Sequence, residues 1–106
     1  MKEISIIKNE KLSSIFSIEI AEILNKLNKE IRNRSKSKEK FLLTLIRVYI
    51  TSDMNLIKVY ISMYPFLDQD VLEYIRSQSR FYRKLLSKKL RYRVKKIPKL
   101  DFIVFK

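Results

Sequence analysis

Residues 41–62 read FLLTLIRVYI-TSDMN-LIKVYIS, and this stretch decides the fold class. Phe41 to Thr51 is rich in Leu, Ile, Val, Thr and Tyr, side chains that suit a pleated, half-buried ribbon. Thr51-Ser52-Asp53-Met54-Asn55 then offers hydroxyl, carboxylate and amide groups that bond to nearby backbone, the chemistry of a turn. In Leu56 to Ser62, alternation puts Ile57, Val59 and Ile61 on one face and Lys58, Tyr60 and Ser62 on the other. In the first run it groups Thr44, Ile46, Val48 and Ile50 opposite Leu45, Arg47 and Tyr49. The two runs predict an antiparallel hairpin.

Outward from the hairpin the period changes. From about Asn9 to Ile31 the apolar residues Leu12, Ile15, Phe16, Ile20, Ile23, Leu24, Leu27 and Ile31 recur every three or four positions, which predicts an amphipathic helix. Asn33 to Lys40 is a polar loop whose lysines Lys36, Lys38 and Lys40 are either solvated or in contact with phosphate. Beyond the hairpin, Pro65 breaks the chain, and Asp68 or Asp70 can cap a helix. Over residues 69–94, Val71, Leu72, Ile75, Tyr82, Leu85, Leu86 and Leu90 cluster on one side, and Gln78-Ser79 interrupts the stripe, so a bend or break is expected near Ser79. Arg93 to Lys99 is a second basic loop, and residues 100–105 alternate Leu100/Phe102/Val104 against Asp101/Ile103/Phe105 as a final strand. The expectation is one α+β domain over 1–106, with helices on one face of a three-stranded sheet.

Composition narrows the chemistry. The 106 residues hold no Cys, His or Gly. Without Cys there are no disulfides and no thiolate nucleophiles or ligands. Without His the commonest general base is missing. Without Gly a phosphate-cradling loop of the P-loop or dinucleotide kind cannot form. No cofactor, metal or catalytic residue is expected, and the chain reads as a binding protein rather than an enzyme. The longest apolar runs are far short of a membrane span, and Met1-Lys2-Glu3-Ile4 does not open a signal peptide, so the cytoplasm is the expected location.

The net charge is +13, and it is not evenly spread. Residues 1–73 carry 12 Lys/Arg against 10 Asp/Glu, whereas residues 74–106 carry 12 against Asp101 alone. Abundant Ile and Lys can reflect an A+T-rich genome, but such bias does not concentrate charge in one third of a chain. A local block of this size points to a polyanion. The candidate phosphate-binding residues are Arg76, Arg80, Arg83, Lys84, Lys88 and Arg91 on the helical face and Arg93, Lys95, Lys96 and Lys99 in the loop. Tyr49 and Tyr60 could stack bases, although cross-strand packing is the simpler reading. Leu85, Leu86, Leu90, Phe102 and Val104 read as core, and Asp53 as a turn residue.

The order helix, strand, strand, broken helix, strand is that of a type II KH domain, α-β-β-α-α-β, here lacking the GxxG loop with which such domains clamp nucleotides. Ile50-Thr51-Ser52-Asp53-Met54-Asn55-Leu56-Ile57-Lys58-Val59-Tyr60-Ile61-Ser62 closely resembles the ribosome-binding factor A pattern of strand, Ser/Pro-Asp turn and Lys-Val-Tyr-Val-Ser. Tyr82 to Arg93, followed by Ile97-Pro98-Lys99-Leu100-Asp101-Phe102, resembles that family's helix and its Val-Pro-Glu-Leu-Phe signature. Ser79-Arg80 stands where the family usually has Ala-Gly, and Lys99 where it usually has Glu. The resemblance implies a bacterial, RNA-binding factor that docks as a monomer on the maturing small (30S) ribosomal subunit. It also implies contact with the rRNA and a part in 16S rRNA processing. The alternatives are a non-specific nucleic-acid-binding protein and a peripheral binder of anionic membrane.

Overall fold

The hairpin forms where the alternation predicts it. In the computed structural model, which describes residues 2–35, 38 and 40–105 (2–10 as backbone alone), β1 (Leu42–Ile50) and β2 (Leu56–Tyr64) pair antiparallel. The turn between them is closed by the Thr51 amide donating to the Leu56 carbonyl at 3.0 Å and the Met54 amide donating to the Thr51 carbonyl at 2.9 Å. The Asp53 carboxylate accepts from the Thr51 hydroxyl at 2.7 Å and from the Asn55 amide at 3.1 Å, and these bonds hold its pKa below the usual value. Asp53 is thus a turn residue. Met54 has φ 62°, the left-handed region that glycine usually fills and that this glycine-free chain assigns to a methionine.

One expectation about β1 is corrected. Leu43 and Ile50 are buried and Leu45 and Val48 half-buried, whereas Thr44 and Ile46 are exposed. The cause is a β-bulge. Leu45 pairs with Ile61 and Arg47 with Tyr60, which leaves Ile46 as the extra residue. A bulge shifts the alternation by one. Odd positions face inward before it and even positions after it. Without that shift the phase set by Leu43 and Leu45 would drive Arg47 into the core.

The helices lie where the periodicity puts them, with moved ends. Helix α1 (Lys2–Arg34) begins before the expected Asn9 and runs past Ile31. At 1.5 Å per residue it is about 50 Å long, and it sets the 52 Å long axis of the molecule. Phe16, Ile20, Leu24 and Leu27 are buried against the sheet, each contributing roughly 1.5–3 kcal/mol. Among them sits a polar residue, Asn28, with 2% exposure. Its amide group donates to the Leu43 carbonyl at 2.8 Å and its side-chain oxygen accepts from the Leu43 amide at 2.7 Å. Asn28 thereby pairs with the edge of β1 as a neighbouring strand would, and no buried polar side-chain atom is left unpartnered among the described residues.

The second helical region is α2 (Gln69–Ser77) and α3 (Ser79–Leu90), broken at Gln78, one residue before Ser79. Asp68 caps α2, accepting from the Val71 amide at 3.1 Å. Lys38 reaches the same carboxylate at 2.7 Å, and that contact is the first reason its pKa is lowered. Gln78, at φ −95° and ψ 6°, ends one helix and starts the next without a positive φ, so Ser79-Arg80 can stand where a glycine is common. Helix α3 stops at Leu90, short of residue 94. Strand β3 (Lys99–Val104) then pairs parallel to β2, giving the order β1-β2-β3 with β2 central. Phe102 is buried and Leu100 and Val104 half-buried, as the alternation predicts. Leu86 and Leu90 are buried and Leu85 half-buried against the same core. All three helices pack on one face of the sheet and share one hydrophobic core. The other face carries no helix among the described residues.

Candidate nucleic-acid interface

The basic block of residues 74–106 divides into two sets. In the first, each side chain has a bond within the protein. Arg76 donates from Nε and Nη2 to the Phe102 carbonyl at 3.2 and 2.9 Å, tying α2 to β3. Arg83 donates from Nε to the Ile97 carbonyl at 2.9 Å, tying α3 to the loop before β3. Arg83 is accordingly half-buried, whereas Arg80 and Lys84 beside it are exposed. Lys96 donates to the Asn55 side chain at 2.6 Å and so reaches the hairpin turn. Arg91 stacks on the Tyr92 ring at 4.7 Å and donates to its hydroxyl at 2.6 Å.

The second set is Arg80, Lys84, Lys88, Lys89, Arg93, Lys95 and Lys99. These seven are exposed, and none has a side-chain hydrogen bond or ion pair among the described residues. Arg80, Lys84 and Lys88 recur every four residues, so on α3 they form one row. Lys88 lies at the rim of a groove of about 470 Å³ whose opposite wall, on α1, carries Glu19, Glu22 and Glu30. No acid lies on α3 itself. Lys99 is exposed at the start of β3. In the first loop Lys36 lies outside the described residues, and the charge of Lys38 is engaged by Asp68.

The sheet face opposite the helices holds what the sequence suggested for Tyr49 and Tyr60. The Arg47 guanidinium stands 4.9 Å from the Tyr60 ring centre, across the β1–β2 register. The Lys58 ammonium stands 6.0 Å from the Tyr49 ring centre, across the same register. Cross-strand packing is thus present, in the form of cation–π pairs. No helix among the described residues is long and apolar enough to cross a membrane.

A family model of ribosome-binding factor A matches residues 8–104. The chain belongs to the ribosome-binding factor A family. It is 32% identical over 98 residues to ribosome-binding factor A of Chlorobium phaeobacteroides, covering 91% of this chain and 78% of that one. Its identity to the Chlorobaculum tepidum protein is 31% over 98 residues, with 91% and 75% covered. Among solved structures, the fold is similar to crystalline ribosome-binding factor A from Thermus thermophilus, with a TM-score of 0.68 at 20% identity over 91% of this chain and 94% of that one. It is also similar to a Thermus thermophilus family member fitted as a homology model into a cryo-EM map of a 30S complex, with a TM-score of 0.54 at 19% identity, covering 80% and 93%. The family's element order, α-β-β-α-α-β with a three-stranded sheet, is the one found here.

Proposed function

We propose that this chain is a ribosome assembly factor that binds the maturing small subunit through its rRNA and works by binding, without catalysing a reaction. The 106 residues act as one domain and one copy. The observation that carries the reading is the exposed row Arg80, Lys84 and Lys88, together with the exposed loop residues Arg93 and Lys95, on a chain of the ribosome-binding factor A family. Cations without partners among the described residues are free to neutralise phosphates, and each phosphate contact releases a counterion. Arg76, Arg83, Lys96 and Arg91 each have one or two donor atoms held within the protein, which fixes their place on that surface and leaves their other N–H groups for RNA. Docking of this kind favours correct 16S rRNA maturation by holding one rRNA conformation.

The test is sedimentation of a tagged chain in cell lysate, with the RNA of its peak fraction identified. The expected peak coincides with small-subunit particles and contains 16S rRNA or its precursor. A peak at the top of the gradient, or one that follows chromosomal DNA or membrane vesicles, contradicts the reading.

A further inference from the structure

The sheet face opposite the helices carries an arrangement that the proposed phosphate-binding row does not use. Tyr49 on β1 pairs in register with Lys58, and Arg47 with Tyr60 on β2. Tyr60 lies beside Ile103 of β3, and Phe105 follows two residues on, with its ring 6.3 Å from that of Tyr60 at an 87° angle. Tyr49 on β1, Tyr60 on β2 and Phe105, one residue past β3, thus form a diagonal across the sheet. Neighbouring strands are about 4.8 Å apart, so the diagonal crosses roughly 10 Å of sheet width. Tyr49 is 52% and Phe105 51% exposed. Arg47 and Lys58 alternate with the rings, and Asp101, beside Lys58, is the acid on this face.

The bulge at Ile46 builds the arrangement. It turns both Arg47 and Tyr49 outward, where the phase of Leu43 and Leu45 would have turned them in. Exposed aromatic rings interleaved with cations suit unpaired RNA: every base offers a π-face to a ring or guanidinium plane, and the cations meet the phosphates. Helical RNA keeps its base faces stacked internally and cannot use the rings.

We propose that this sheet face is a second RNA surface, which stacks unpaired bases on Tyr49, Tyr60 and Phe105 while Arg47 and Lys58 hold the backbone. It rests on the RNA-binding reading above but assigns a different face and a different form of RNA. The test compares fluorescence anisotropy of a labelled oligoadenylate of about eight nucleotides with that of an RNA duplex. The proteins are the parent, Tyr49→Ser/Phe105→Ser, the aromatic swap Tyr49→Phe/Phe105→Tyr, and Arg80→Glu/Lys84→Glu. Thermal melting verifies that each is folded.

The serine pair should lose about tenfold or more in affinity for the single strand and keep duplex binding within about twofold. The aromatic swap should bind both as the parent does, and the α3 variant should lose duplex binding most. Single-strand binding by the serine pair equal to the parent's would overturn the proposal while leaving the α3 reading intact. It would also be overturned if the serine pair kept RNA binding but lost association with small subunits, because the face would then dock protein. Failure of the parent to bind either RNA would overturn both readings.

Discussion

Helix α1 and the α2–α3 pair cover the same sheet face, yet they use their polar residues in opposite ways. On α1, acids and bases are mixed, and the buried Asn28 is spent on the edge of β1. On α3 there is no acid, and a row of cations is left with no protein partner among the described residues. Within α3 the contrast narrows to adjacent positions: Arg83 bonds to the Ile97 carbonyl and Lys84 bonds to nothing described. Charge alone therefore does not mark an interface. A cation whose donors are engaged by backbone contributes to stability, and one whose donors are free is available to a ligand.

The sharpest test of the stabilising half is Asn28→Ala. It strands the buried amide and carbonyl of Leu43, so the expected loss is about 2–4 kcal/mol, read by urea denaturation. A loss below that of an exposed alanine substitution would break the claim that α1 is pinned through Asn28.

The next largest effect depends on pH. Burial, with smaller help from Tyr74 and Glu30, pushes the Tyr82 hydroxyl up to about 12. Its ordinary value is near 10, so between about pH 10 and 12 the unfolded chain loses a proton that the folded chain keeps. Stability is fully present below 10 and should fall by roughly 2–3 kcal/mol as pH rises through that window. Tyr82→Phe should remove this part of the alkaline loss, measured as the difference between the two proteins' denaturation midpoints.

Arg83→Gln against Lys84→Gln sharpens the comparison at neighbouring positions. Loss of the Arg83 bond to Ile97 should cost about 1–2 kcal/mol, and the Lys84 change should stay within about 0.5 kcal/mol. Equal costs would dissolve the division of the basic block into two sets.

A smaller effect belongs to the cap of α2. Asp68→Ala should cost about 1 kcal/mol. Because Lys38 and the Val71 amide hold its pKa below 3.8, its stabilisation is present above that value and should fade as pH drops through the folded-state pKa. A thermal melting series from neutral to acid pH should therefore bring parent and variant together at the acid end.

Much of this arrangement was legible before the fold was known. Hydrophobic period located β2, β3 and the helical regions, and β-favouring composition located β1. The phase of β1 was not legible, since Leu42, Leu43, Leu45 and Ile46 are apolar on both sides of the ribbon and period two has nothing to hold. Asn28 left a usable signal: it sits three residues before Ile31 and four after Leu24, inside the apolar arc of α1. Arg76 and Arg83 left none. A guanidinium bound to a carbonyl fourteen or more residues away reads in sequence like one facing solvent. The basic block was therefore visible as charge, while its division into fastening and free residues required the structure.

The central claim is that the free row on α3 meets phosphate. Its most direct test is the affinity of purified small subunits for the parent and for Arg80→Glu/Lys84→Glu/Lys88→Glu, measured from about 50 to 200 mM salt. The parent's affinity should fall steeply over that range. The variant should melt as the parent does, bind at least tenfold more weakly at low salt, and show a log–log salt slope shallower by about 2–3, one counterion for each lost phosphate contact. A variant that binds as tightly as the parent with the same slope contradicts the account.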